Sequence, residues 1–249
     1  MKHFRPRLSR RAFWVLCALL VCLRLALTGF QQAYIWVGGA PLDDELMFRA
    51  ANHITAGQWL GAYDYLTLSK AMFFPVWLAL LHALHLPYLI SGAALWCGAA
   101  LLAAFSFSTL WRKKDTAQGR VLTLGLFAAL AFLPSSWAAY TLRVYRDNIF
   151  PALCLYFFAG MAGMALRAVF TPEKPLWPWL AAAGAGLACG YLDREDAGLF
   201  LLPFAAAATV IVAVVLAGKR RWKALAAQVI PYVMLGVGVL TFCTLNYTH

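Results

Sequence analysis

The chain has 249 residues, of which 63% are hydrophobic and only 12% are charged, and its mean hydropathy is +0.71. These values lie outside the range of soluble globular domains and indicate a polytopic membrane protein with a single domain. The net charge of +11 does not indicate a nucleic-acid-binding protein, because the basic residues form short clusters between apolar segments, as they do in cytoplasmic loops of membrane proteins.

Seven apolar segments are long enough to be predicted as membrane spans. The first, residues 12–30, follows a basic head and has about the 20 residues that a span requires, so it predicts a retained anchor and not a cleaved signal peptide. The others are residues 88–110, 121–140, 149–167, 177–191, 198–217 and 226–245. They predict an all-α membrane protein whose residues 1–249 form one module of seven transmembrane helices.

The sixteen apolar residues 71–86 are short for a span, and they predict either an eighth crossing or a helix that lies at the membrane interface. Basic residues favour the cytoplasmic side of a membrane. If this segment does not cross, fifteen basic residues lie inside and five outside, whereas a crossing gives eight inside and twelve outside. The seven-span arrangement is therefore predicted, with a cytoplasmic N-terminus.

The first extracytoplasmic loop is then predicted to cover residues 31–87. Within it, Leu42, Leu46, Ala50 and Ile54 recur every four residues, which is typical of an amphipathic helix. Such a helix lies on the membrane surface. We expect interfacial helices in this loop, with carboxylates held over the mouth of the helix bundle.

Most of the acidic residues fall on the predicted outer side, in three segments of mixed charge. These segments are DDELMFR (43–49), RVYRDN (143–148) and DRED (193–196). Each stands at the end of a predicted helix. Ionisable groups beside hydrocarbon are energetically unfavourable, so their presence there indicates a function. The alternative interpretation is ordinary helix capping and loop solvation.

The residue types in these segments suit transfer from a lipid phosphate. Carboxylates activate a hydroxyl group, and fixed cations hold a phosphate leaving group. The cations are Lys70, Arg143, Arg146 and Arg194. The same cations also suit a transporter or flippase of an anionic lipid-linked substrate, and a scaffold subunit is a third alternative.

The order of motifs resembles the GT-C superfamily of integral-membrane glycosyltransferases, including relatives of the family-39 mannosyltransferases and aminoarabinose transferases. The motifs are PLDDELMFRAANHITAGQWL, YDYLTLSKAMFFPVWLALLHAL, RVYRDNIFPAL and YLDREDAGLFLLPF. The resemblance implies a seven-span module, a polyprenyl-phosphate sugar donor and an acidic motif on interfacial helices. It places the loop Asp-Glu pair on Asp44 and Glu45 with Asp43 beside them, the lysine that closes the loop on Lys70, and the second outer acid on Asp147. The chain departs from this pattern by stopping at LNYTH, without the further spans and soluble domain that often follow, so we expect either a module that lacks a C-terminal part or a minimal form of the enzyme.

The roles predicted for these residues follow from their chemistry. Asp44 is expected to be the general base, with Asp43 orienting the acceptor or a divalent cation such as Mg²⁺ or Mn²⁺, and Glu45 pairing with Arg49 one turn away. The remaining predicted site residues bind the donor phosphate (Lys70, Arg143, Arg146) or support the site (Asp147, Arg194, Glu195, Asp196).

The function expected from the sequence is a membrane glycosyltransferase of the bacterial inner membrane that contributes to a cell-envelope glycan. It takes a sugar from a polyprenyl-phosphate donor and passes it, with inversion, to a glycan, lipid or protein acceptor. The active site is expected on the extracytoplasmic side.

Overall fold

The protein is described by a computed structural model for residues 8–36, 38, 41–62, 70–111, 116–171 and 175–248. Within these ranges the elements are α-helices joined by short loops and 3-10 turns. The helices are α1 (Arg10–Thr28), α2 (Pro41–Thr55), α3 (Phe73–Ala83), α4 (Tyr88–Phe107), α5 (Thr116–Ala131), α6 (Phe150–Phe170), α7 (Trp177–Asp193), α8 (Ala197–Gly218), α9 (Trp222–Ala227) and α10 (Ile230–Thr248).

Five helical segments of the described chain are long and apolar enough to cross a membrane, which confirms a multi-pass membrane protein. They are α1, α4 with its 3-10 extension to Trp111, α6, α8, and the pair α9 and α10. Helices α5 and α7 have 16 and 17 residues, fewer than the roughly 20 that span a bilayer without tilt or thinning. The seven-span count therefore stays a prediction that requires both to cross.

Helix α5 ends earlier than the sequence indicated. The apolar segment 121–140 leaves the α-helix at Ala131 and continues as the 3-10 turns Pro134–Trp137 and Ala139–Leu142. The break follows from Pro134, because a proline disfavours helical geometry at the residue before it, and Leu133 is extended at ψ 127°. Arg24 of α1 fixes the turn, since its guanidinium stacks 3.4 Å from the Trp137 ring centroid.

Helix α3 has 11 residues, so it is about 16 Å long and too short to cross hydrocarbon about 30 Å thick. This length agrees with the expectation that residues 71–86 do not span. Helix α3 packs against α2. Its position relative to the membrane stays a prediction.

Helix α2 is amphipathic, but its buried face differs from the predicted stripe. Leu46 and Ala50 are buried as expected, whereas Leu42 is 59% exposed and the most buried positions are Asp44 and Met47. A four-residue repeat drifts by about 40° at each step around a helix of 3.6 residues per turn, so one stripe cannot remain on one face for three steps. The helix therefore turns Asp44 inward.

Helices α6 and α7 form the centre of the molecule, and α7 also packs against α10. Their close approach depends on glycine: a Cβ at Gly160 would lie 2.5 Å from the Ala183 nitrogen, and one at Gly186 would lie 2.4 Å from the Phe157 nitrogen. Small residues allow backbones to approach in this way in membrane bundles. The packing brings the start of α6 beside the end of α7.

Candidate functional site

The three predicted charged segments meet at one end of the bundle, together with Lys70. The segment before α6 is fixed there by backbone pairing, because the Tyr34 nitrogen donates to the Leu142 carbonyl and the Val144 nitrogen donates to the Tyr34 carbonyl. We call the assembled group the charged cluster. It consists of Asp43, Asp44, Lys70, Arg143, Tyr145, Arg146, Asp147, Arg194, Glu195 and Asp196.

Asp44 and Arg143 form the buried ion pair of the cluster. The Arg143 Nε donates to the two Asp44 carboxylate oxygens at 3.0 and 3.2 Å, its Nη2 donates to Oδ1, and the Trp36 backbone nitrogen donates to Oδ2 at 2.8 Å. The Asp44 side chain is 0% exposed. Burial opposes the charge on Arg143, but the hydrogen bonds and charge of Asp44 outweigh it and raise the Arg143 pKa above its ordinary value. Arg143 therefore remains ionised, and Arg143 and the Trp36 nitrogen together occupy the Asp44 carboxylate.

Asp43 is the acid of α2 that solvent reaches within the cluster. Its side chain is 35% exposed, and its Oδ2 accepts hydrogen bonds from the Lys70 Nζ at 3.3 Å and the Tyr145 hydroxyl at 3.2 Å. Burial raises the pKa of Tyr145 to about 12, so the phenol stays protonated and donates at neutral pH. The Tyr145 oxygen in turn accepts from the Arg146 Nη2 at 2.8 Å. Tyr145 thus links Asp43 to Arg146.

Arg146 connects the cluster to the end of α7 and the start of α3. Its Nη1 donates to the Glu195 Oε2 at 2.6 Å and to the Asp193 carbonyl at 3.2 Å, while the Ala71 backbone nitrogen donates to the Glu195 Oε1 at 3.1 Å. Partial burial raises the pKa of Glu195, but hydrogen bonds from its own backbone, Arg146 and Ala71 outweigh burial and leave the pKa below its ordinary value. Glu195 is therefore a carboxylate at neutral pH.

Arg194 forms the outer, more exposed part of the cluster. Its Nη1 lies 3.4 Å from the Asp147 Oδ1, and its Nε donates to the Asp196 Oδ1 at 3.0 Å. The hydrogen bonds from Arg194 lower the pKa of Asp196. Solvent weakens such pairs, so this part of the cluster adds little rigidity.

A groove begins at the charged cluster and continues between α7 and α10. Its volume is about 330 Å³, and Lys70, Ala71 and Glu195 lie at its polar side. The remaining lining residues are mostly apolar: Leu60, Met72, Tyr191, Leu192, Val239, Phe242, Cys243 and Asn246. A second cavity of about 460 Å³ shares Leu60, Cys243 and Asn246 with it. An apolar groove with a cation at one end suits an amphipathic anion.

All predicted site residues except Glu45 join the charged cluster. Glu45 is exposed and has no ion pair in the described part of the chain, and its pairing with the exposed Arg49 stays a prediction. Within the described ranges, no three His, Cys, Asp or Glu side chains are placed to hold a metal ion. Asp43 and Asp44 are adjacent, but Arg143 occupies the carboxylate of Asp44. The predicted divalent cation has no further support from this geometry.

Sequence reasoning missed two residues of this region. Tyr145 stands between the two predicted arginines in RVYRDN, and a tyrosine near a membrane interface gives no separate signal of a polar role. Asp193 has no individual role in the predicted site and belongs only to the DRED segment, yet its carboxylate is buried, and neither oxygen has a hydrogen-bond partner in the described structure. The position of Asp193 behind Arg146 emerges only from the packing of α7.

Comparison of the chain with protein-family profiles, curated proteins and solved structures finds no significant match. The functional interpretation therefore depends on the motifs and on the geometry of the charged cluster and its groove.

Proposed function

We propose that the protein is a seven-span glycosyltransferase of the GT-C type that moves a sugar from a polyprenyl-phosphate donor to a hydroxyl of an extracytoplasmic acceptor, with inversion. The observation that supports this most is the position of Lys70. Its ammonium group contacts Asp43 in the charged cluster, and the same residue lines the apolar groove. A carboxylate, a cation and a groove for an isoprenoid thus adjoin one another.

The phosphate of the donor fits beside Lys70. A polyprenyl-phosphate sugar is a phosphodiester with one negative charge, and its cleavage leaves a phosphate monoester with a second charge. The Lys70–Asp43 pair is partly exposed, and pairs of this kind are worth at most about 1 kcal/mol, so Lys70 exchanges Asp43 for a phosphate at low cost. Arg146 is linked to Asp43 through Tyr145 and is the second cation that stabilises the charge developing on the leaving phosphate.

The sequence prediction names Asp44 as the general base, and the geometry favours Asp43 for that role. Asp44 is buried and its lone pairs are occupied by Arg143 and the Trp36 nitrogen, whereas Asp43 is accessible to an acceptor. In the proposed step, the acceptor oxygen forms a bond to the anomeric carbon, the bond from that carbon to the phosphate oxygen breaks, and the acceptor proton passes to Asp43. Asp44 then acts as a positioning residue that holds α2 against Arg143.

The direct test is an assay of purified chain with a panel of labelled polyprenyl-phosphate sugars and acceptor alcohols. Release of free polyprenyl phosphate together with a glycosylated product is expected, and Asp43→Asn serves as the inactive control. Reconstitution in vesicles separates the alternative: a transporter moves intact donor across the bilayer and releases no lipid phosphate. Movement without cleavage across the whole panel would overturn the proposed function.

A further inference from the structure

A further cavity, separate from the groove and from the cavity that adjoins it, lies at the end of the bundle opposite to the charged cluster. Its volume is about 370 Å³, and it is open to the surface where α1 and α5 begin and where α4 and α6 end. Its lining combines three arginines, five hydroxyl-bearing residues and four aromatic side chains: Arg10, Arg120, Arg167, Ser108, Thr109, Thr116, Thr123, Thr171, Phe13, Trp14, Phe105 and Trp111, with Gly119. The proposed transfer reaction makes no use of this cavity.

The described lining is positively charged. It contains three arginines and no acidic residue. Two of the arginines are oriented by contacts: the Arg120 Nε donates to the Leu8 carbonyl at 2.7 Å, and the Arg167 guanidinium lies 4.6 Å from the Trp179 ring centroid. Guanidinium groups fixed in this way at the edge of a cavity suit a phosphate or carboxylate oxygen.

Thr171 gives a separate indication of a polar ligand. The residue is 3% exposed and lines the cavity, and its hydroxyl has no hydrogen-bond partner in the described structure. A buried hydroxyl without a partner is unfavourable and is unusual in folded proteins. An acceptor oxygen of a ligand in the cavity would satisfy it.

The aromatic side of the cavity continues into the surface of α1. The rings of Trp14 and Phe105 lie 5.6 Å apart at the cavity wall, and Trp14 is 47% exposed. Next to it on α1, Val15 and Leu19 are exposed apolar residues of a helix long enough to span a membrane. A ligand with an anionic head and a hydrocarbon chain therefore matches the cavity and the adjoining surface better than a small soluble anion does.

We propose that this cavity binds the phosphate headgroup of an anionic phospholipid, with Arg10, Arg120 and Thr171 as its ligands and the acyl chains along α1. Basic pockets between transmembrane helices recognise such headgroups by charge and hydrogen bonds together. The site is distinct from the charged cluster, so this proposal does not depend on the proposed glycosyl transfer.

The experiment measures binding of short-chain phosphatidylglycerol to the purified full chain in neutral detergent, with short-chain phosphatidylcholine and inorganic phosphate as comparison ligands. Phosphatidylglycerol is expected to bind at least about fivefold more tightly than phosphatidylcholine, since each basic contact to an anionic headgroup contributes about a fivefold factor. Inorganic phosphate at the same concentration is expected not to displace it. Equal affinity for the two lipids, or displacement by inorganic phosphate alone, would overturn the proposal.

Two single substitutions test the location of the site, and both are expected to change lipid binding without destabilising the protein. Arg10→Gln changes an exposed residue and is expected to weaken phosphatidylglycerol binding about fivefold. Thr171→Val removes the unpartnered hydroxyl at nearly constant volume, so binding is expected to weaken while the melting temperature is kept or raised. Lys223→Gln, an exposed cation outside the cavity, is the matched control and should change nothing. Unchanged affinity in both cavity variants would refute the assignment.

Discussion

Asp43 and Asp44 are adjacent in sequence, but the Asp43 side chain is accessible to solvent and the Asp44 side chain is buried. We therefore expect substitutions of Asp43 to affect catalysis and substitutions of Asp44 to affect stability. Asp43→Asn is expected to lower the transfer rate by about 10² to 10⁴, which is the usual contribution of a positioned general base, with an unchanged melting temperature. Turnover and donor binding are measured on the same preparation. Glu45→Gln, an exposed neighbour outside the cluster, is the control, and full activity of the Asp43 variant would return the role of base to Asp44.

Asp44→Asn is expected to act mainly on the fold. The substitution removes the carboxylate that neutralises Arg143, and breaking a buried ion pair from one side costs about 3–5 kcal/mol. Thermal unfolding in detergent measures this effect, and activity should fall with the folded fraction. An inactive Asp44→Asn variant with an unchanged melting temperature would contradict the positioning role.

The Arg146–Glu195 link gives the site a defined response to acid. The pKa of Glu195 is lower in the folded protein than in the unfolded chain. The link therefore contributes its full stabilisation of the fold above the unfolded pKa of about 4.3, and this stabilisation is lost as pH falls through the folded pKa. Activity between pH 5 and 8 should therefore show no transition due to Glu195. Exchange of the Ala71 amide, corrected for its intrinsic rate, should increase only below this window, and Glu195→Gln should remove that transition.

At the scale of elements, the contact between α6 and α7 sets the distance between Arg146 and Glu195. Gly186→Ala is expected to destabilise the protein by about 1–3 kcal/mol, because its Cβ meets the Phe157 backbone at 2.4 Å and backbone atoms cannot move aside. Gly236→Ala is the matched control, since a Cβ there has nothing within 4 Å. The melting temperatures of the two variants test this expectation. Equal melting temperatures would show that α6 and α7 can move apart without loss of stability.

The sequence predicts helices well where hydropathy alone determines them and poorly where local geometry intervenes. The span expected over residues 149–167 is helix α6, Phe150–Phe170, whereas the span over residues 121–140 loses its last nine residues as α-helix to the effect of Pro134. The charged segments assemble because each stands at the same end of the bundle. Their pairing was not predictable, because it depends on the rotation of α2, which buries Asp44, and on Tyr145, whose hydroxyl joins groups distant in sequence.

For the whole molecule, the topology determines whether the charged cluster faces outward, and this is tested in a cysteine-free background. Gln31→Cys and Tyr247→Cys are expected to react with an impermeant maleimide in intact cells, while Lys219→Cys reacts only after permeabilisation. The reason is the excess of basic residues on the side that includes Lys219, together with α3, whose 11 residues are too few to reverse the orientation of the following helices. Lys219 and Tyr247 are both exposed, so accessibility within the protein does not limit labelling. Labelling of Lys219→Cys from outside would contradict this orientation, because Lys219 and the charged cluster lie at opposite ends of the helix Ala197–Gly218 and the cluster would then face the cytoplasm.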